Sequence, residues 1–76
     1  MNNKNSKATA MDLLSARERE VVKLVADGLT SKEIAQALGL KPGTIDTYRS
    51  RIMTKLQIDD IVGLVRFAIR HGLTKA

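Results

Sequence analysis

The chain of 76 residues has no cysteine, one proline and one histidine, and each scarcity removes a class of protein. Without cysteine there is no disulfide to hold a small core, no thiolate metal site and no redox thiol. His71 alone cannot assemble a metal site. No stretch approaches the ~18 consecutive apolar residues of a membrane span, and the first dozen residues lack the apolar centre of a signal peptide. A glycine-rich phosphate loop is missing, as is a pair of acids that a concave surface could gather, so no enzyme, cofactor or metal is expected. With so little proline and only five glycines, the local preference is helical throughout. The length admits one small domain and no cleft between domains. The expectation is an all-α cytoplasmic protein that makes no membrane contact.

What is present is cationic charge in particular places. The net charge is +5. Residues 13–40 balance, with Arg17, Arg19, Lys23 and Lys32 against Glu18, Glu20, Asp27 and Glu33. Residues 41–56 carry an excess of cations in Lys41, Arg49, Arg51 and Lys55 against Asp46. Asp59 and Asp60 interrupt this before Arg66, Arg70 and Lys75. Positive charge gathered toward the second half suits a face that binds a polyanion, and it equally suits a solvated surface.

Residues 1–12 are polar and lack periodicity over most of their length, and read as a flexible leader or linker remnant before a domain over residues 13–76. Ser15 opens S-A-R-E, a capping box with Glu18. Val21, Leu24 and Val25 follow on one helical face with Val22 on its flank, and Gly28 ends the helix. Thr30 opens a second box, T-S-K-E. Ile34, Ala35 and Leu38 form the buried side of a helix of about two turns that closes at Gly39, and Leu40 then drops into the core. Pro42 suits the first position of a third helix. Its inner stripe is Ile45, Tyr48, Ile52 and Leu56, with Met53 beside it; Asp46, Thr47, Ser50, Arg51 and Thr54 face outward. Two helices meeting at a tight corner, the second one basic, can push a helix into the DNA major groove.

Asp59 or Asp60 can cap a fourth helix running to His71 before Gly72. Ile61, Leu64, Val65 and Ala68 make its core stripe. Val62 and Ile69 form a second apolar edge next to Arg66, which either widens the core or meets a symmetry mate. His71 is placed to serve free carbonyls at the helix end.

The segments LSAREREVVKLVADGLTSKEIAQALGL, TIDTYRSRIMTKL and LVRFAIRHGL resemble the helix-turn-helix output domain of the LuxR/NarL/FixJ class of bacterial transcription regulators. Glu18, Gly28, the KEIA at 32–35, Thr44 and Leu56 carry the likeness, which runs from about Leu13 to Leu73. It implies a compact four-helix bundle that binds double-stranded DNA, working as a homodimer on a two-fold-related site with the helix over residues 42–56 in the major groove. IMTKL together with LVRFAIRHGL is most similar to response regulators of two-component systems, and such a regulator would also contact RNA polymerase.

By the same resemblance the base-reading positions are Asp46, Thr47 and Ser50. The DNA-backbone positions are Thr30, Ser31, Lys32, Lys41, Thr44, Tyr48, Arg49, Arg51 and Lys55, and the dimer edge holds Val62, Arg66 and Ile69. Lys41 stands where the family often has a serine cap, Tyr48 where histidine is frequent, and Asp46 where a base is common. A carboxylate near phosphates is repelled, so Asp46 is a cytosine N4 acceptor, a partner orienting Arg49 or Ser50, or a discriminator against wrong sites. A second class of function, a helical protein-interaction module docking through the fourth helix, would explain the apolar edge but has no need of the basic third helix.

Overall fold

Ser15 and Thr30 start two helices by the same device. The Ser15 hydroxyl accepts the Glu18 amide at 3.1 Å while the Glu18 carboxylate accepts the Ser15 amide at 2.8 Å. Thr30 and Glu33 repeat the exchange at 3.2 and 2.8 Å. Each box satisfies donors that a helix N-terminus leaves unpaired, which contributes about 1 kcal/mol per cap. The helices so begun are α1, Ala16–Ala26, and α2, Ser31–Leu38. Both end on left-handed glycines, Gly28 at φ 96° and Gly39 at φ 71°.

The structure, a computed structural model, describes residues 10–75. After α2 come α3, Pro42–Leu56, and α4, Ile61–Arg70, with no strand among the described residues. Pro42 occupies the first turn of α3, whose N-cap Lys41 makes no side-chain cap. Asp60, rather than Asp59, caps α4 by accepting the Gly63 amide at 2.9 Å. The architecture is the expected all-α bundle, with α1 packed on α3 and α4, and α2 packed on α3.

Residues 1–9 of the expected leader lie outside the described residues. Its last three, with Leu13, instead form a 3-10 turn, Ala10–Leu13. Ala10 and Met11 pack on the core, and Arg19 donates to the Met11 carbonyl at 3.2 Å. Ala10 and Met11 are thus part of the packed structure.

Ile34, Ile45, Ile52, Leu64, Val21 and Val22 are the largest fully buried side chains, each contributing roughly 1.5–3 kcal/mol of apolar burial. Two helices are rotated from expectation. In α1, Val22 is fully buried and Leu24 only half so. In α4 the core residues are Leu64, Phe67 and Ala68, while Ile61 is exposed and Val65 half-buried. Helix α4 is apolar almost all round, so its sequence does not fix which side meets α1; the volume of Phe67 is what settles inside. The second apolar edge consequently does not widen the core. His71 lays its ring on Phe67, with centroids 4.3 Å apart, rather than serving helix-end carbonyls.

Candidate nucleic-acid interface

Helix α3 has one flank sealed by Ile45 and Ile52. At 3.6 residues per turn its opposite flank carries Thr47, Ser50, Arg51 and Thr54, all exposed. Thr44, Thr47, Tyr48 and Arg51 line a shallow notch on this flank, and Ser50, Arg51, Thr54 and Lys55 line the next one. Arg51 is common to both and enters no ion pair among the described residues. Thr47 donates its hydroxyl proton to the Gly43 carbonyl at 3.1 Å. Toward any ligand its oxygen can therefore only accept, and its methyl group is the other surface it offers.

The N-terminus of α2 joins this flank. Ser31 donates to Asp46 Oδ1 at 2.7 Å, and Arg49 Nη1 donates to the same Ser31 oxygen at 3.1 Å. Arg49 and Ser31 are half-buried and Asp46 is exposed. The α2 N-terminus is thus beside the guanidinium of α3. Thr30 spends its side-chain oxygen on the Glu33 amide. Lys32, Lys41 and Thr44 are exposed, and Tyr48 is half-buried against the core.

Lys55 is differently occupied. Its ammonium donates to both oxygens of Glu18, at 2.8 and 2.9 Å, which ties the end of α3 to the start of α1. Glu18 is 4% exposed. The Lys55 contact and the Ser15 amide hold its carboxyl below the ordinary value, against the burial that would raise it. Any phosphate contact from Lys55 is confined to its third N–H. The sequence marked Glu18 as half of a capping box, but nothing near it in sequence names a partner 37 residues away.

At the far side Val62 is 58% exposed and Ile69 38%. Ile61, which the sequence placed inside, joins them, so the free face of α4 is broader than the edge expected. Arg66 is exposed beside it.

A helix pair crossing at a tight corner, with the second helix presenting short polar and cationic side chains, defines a helix-turn-helix DNA-binding domain. Residues 12–68 match the family of bacterial regulatory proteins, luxR family. The chain belongs to that family, and is a transcription-regulator domain of DNA-binding type.

It is 44% identical over 70 residues to a putative transcriptional regulator of Pseudomonas aeruginosa, covering 92% of this chain and 34% of that protein. It is 41% identical over 63 residues to the transcriptional regulatory protein FixJ of Azorhizobium caulinodans, covering 83% and 30%. With BvgA of Bordetella pertussis, a virulence factors putative positive transcription regulator, it shares 37% over 71 residues, covering 93% and 34%. The chain spans about a third of the length of these curated relatives. No helix among the described residues is long and apolar enough to cross a membrane.

Proposed function

We propose that this domain binds specific double-stranded DNA sites as the output part of a bacterial transcriptional regulator, with α3 in the major groove. The observation that carries the reading is the exposed α3 flank of Thr47, Ser50, Arg51 and Thr54, adjoining the α2 N-terminus. A flank of short side chains lets the helix approach base edges closely, and helix amides with cations beside them suit phosphates. Lys32, Lys41, Thr44, Tyr48, Arg49 and Arg51 anchor the backbone, with Ser31 offering its amide, Lys55 its remaining N–H, and Thr30, whose amide and hydroxyl are both spent on Glu33, holding the α2 N-terminus in place. Thr47 and Ser50 read bases. Two copies meet across α4 through Val62, Arg66 and Ile69, so that both α3 helices reach half-sites about 34 Å apart. Such a regulator works in the cytoplasm, with RNA polymerase as a further partner.

Binding to a random duplex at low salt, followed by site selection from a duplex pool, tests this. Affinity should fall with salt at a slope near −0.9 per neutralised phosphate. Arg51→Ala should weaken all sequences alike and flatten that slope by about one phosphate. Thr47→Val, which deletes the acceptor oxygen, and Thr47→Ser, which deletes the methyl group, should show which of the two is read, with the preference at one base pair altered by roughly 1–3 kcal/mol in at least one of them. Uniform loss in both classes of variant would refute the division into anchoring and reading.

The exposed face of α4 favours a second reading, in which the domain is a protein-interaction module docking there. That reading predicts no duplex binding at low salt.

A further inference from the structure

The side chains of Asp46, Ser31 and Arg49 form a chain across the α2–α3 corner that backbone and base contacts alone do not require. A serine hydroxyl has one proton and two acceptor positions. Here the proton goes to Asp46 Oδ1 at 2.7 Å, which turns the oxygen's free electron pairs toward Arg49, whose Nη1 donates at 3.1 Å. Remove the carboxylate and the hydroxyl is free to rotate and offer its proton elsewhere. Guanidinium carries five donors, and this contact uses one of them. The remainder stay available in a planar fork that matches a phosphate.

We propose that Asp46 is a positioning residue: it fixes the Ser31 hydroxyl as an acceptor, and Ser31 in turn holds Arg49 ready to clamp a DNA phosphate at the corner of α2 and α3. This rests on the DNA-binding reading above and sharpens it. An arginine free in solution has much rotamer freedom to lose on binding, and holding it beforehand removes part of that cost. The carboxylate also offsets an unfavourable neighbour, since a cation beside a helix N-terminus is otherwise repelled by the helix dipole. In this arrangement Asp46 spends Oδ1 on Ser31 and acts on DNA through Arg49, although it lies next to Thr47. Ser31 likewise has no hydroxyl proton left for a phosphate and offers only its backbone amide.

The proposal reverses an electrostatic sign. A carboxylate near phosphates is expected to weaken binding, so its removal should tighten it. Positioning predicts instead that Asp46→Ala binds a selected duplex about three- to tenfold more weakly, the worth of one hydrogen bond. All sequences should be affected alike, and the salt slope should flatten. Asp46→Asn retains an oxygen that can accept from Ser31 while shedding the charge, and should bind at least as tightly as the parent. In an Arg49→Ala or Ser31→Ala background, Asp46→Ala should change affinity less than about twofold, because coupled residues lose their effect together. Melting temperatures of the variants, and broadening of the Arg49 guanidinium NMR signals by Asp46→Ala, complete the measurement.

Tighter binding by Asp46→Ala would overturn the proposal, as would a changed preference at one base pair that persists without Arg49. Unaltered Arg49 signals, or a weakening that follows lost thermal stability and that Asn does not restore, would overturn it too. Failure of the parent domain to bind any duplex at low salt sinks the DNA-binding reading and this proposal together; binding without the coupling sinks this proposal alone.

Discussion

A single lysine shows how residue chemistry divides between holding the fold and serving the surface. Lys55 sits in the cationic run of α3, yet its ammonium is committed to Glu18. The carboxylate side chain is 6% exposed and the lysine side chain 42%, so one partner is desolvated and the other largely hydrated. Removing the hydrated partner strands a buried charge, which costs 3–5 kcal/mol in a fully enclosed pair. Here solvent screening and the Ser15 amide reduce the expected cost of Lys55→Met to about 1–2 kcal/mol. The pH dependence follows from the depressed carboxyl of Glu18. A depressed folded-state pKa contributes stability above the unfolded-state value, near 4.5, and that contribution is lost as pH falls through the folded value. Urea melts of the parent and Lys55→Met should thus differ at pH 7 and begin to converge as pH falls below 4.5, closing as it passes through the depressed folded-state value. A gap that stays constant down to pH 3 would show that the pair does not couple to folding.

Among the described residues, the junction between α3 and α4 carries the one non-glycine position at positive φ. Gln57 lies at φ 56°, where Gly28 and Gly39 perform the same task after α1 and α2. Its amide reaches Thr54 and the next amide, of Ile58, reaches Met53, the bonding of a helix end that favours glycine. A side chain there costs about 1 kcal/mol or more. Gln57→Gly should raise stability by roughly 0.5–1 kcal/mol, after the greater freedom of glycine in the unfolded chain is subtracted. A higher urea midpoint at unchanged slope would establish it; a lower one would mean that the Gln57 side chain contributes more than its backbone costs.

The same elements show which parts of the structure the sequence announces. Capping boxes at Ser15 and Thr30, glycines at 28 and 39, and Pro42 are local signals, because cap and helix lie within a few residues of each other. They delimit α1, α2 and α3 to within a residue or two. Gln57 carries no such signal, since glutamine does not advertise a left-handed turn. The rotation of α4 was illegible for a different reason: Ile61, Val62, Leu64, Val65, Phe67, Ala68 and Ile69 leave no polar side broad enough to mark what faces water. Bonds between distant residues, Ser31 with Asp46 and Glu18 with Lys55, depend on how α1, α2 and α3 pack, and no spacing rule encodes them. The outward flank of α3 was readable because Ile45 and Ile52 fix the inner one.

For the molecule as a whole, the exposed face formed by Ile61, Val62 and Ile69 sets the strength of association in the proposed pairing of two copies. Helix α4 has 10 residues, which is about 15 Å of length. Stable interfaces bury roughly 1,200–2,000 Å² in total, and one short helix face on each partner supplies far less. The domain should therefore be monomeric in solution at micromolar concentration. In the proposed complex on two half-sites, the first copy would hold the second at high local concentration, so that the same weak face would become effective without any new contact. Val62→Asp alters the most exposed of the three apolar residues and should leave the melting temperature and half-site affinity nearly unchanged. On the full site it should reduce affinity at least about tenfold, because a desolvated carboxylate facing its symmetry copy is repelled. Ultracentrifugation with and without duplex, together with titrations on half and full sites, separates the possibilities. Equal loss on both sites would mean that Val62 supports the fold, while an unchanged full-site affinity would mean that two bound copies do not meet across α4.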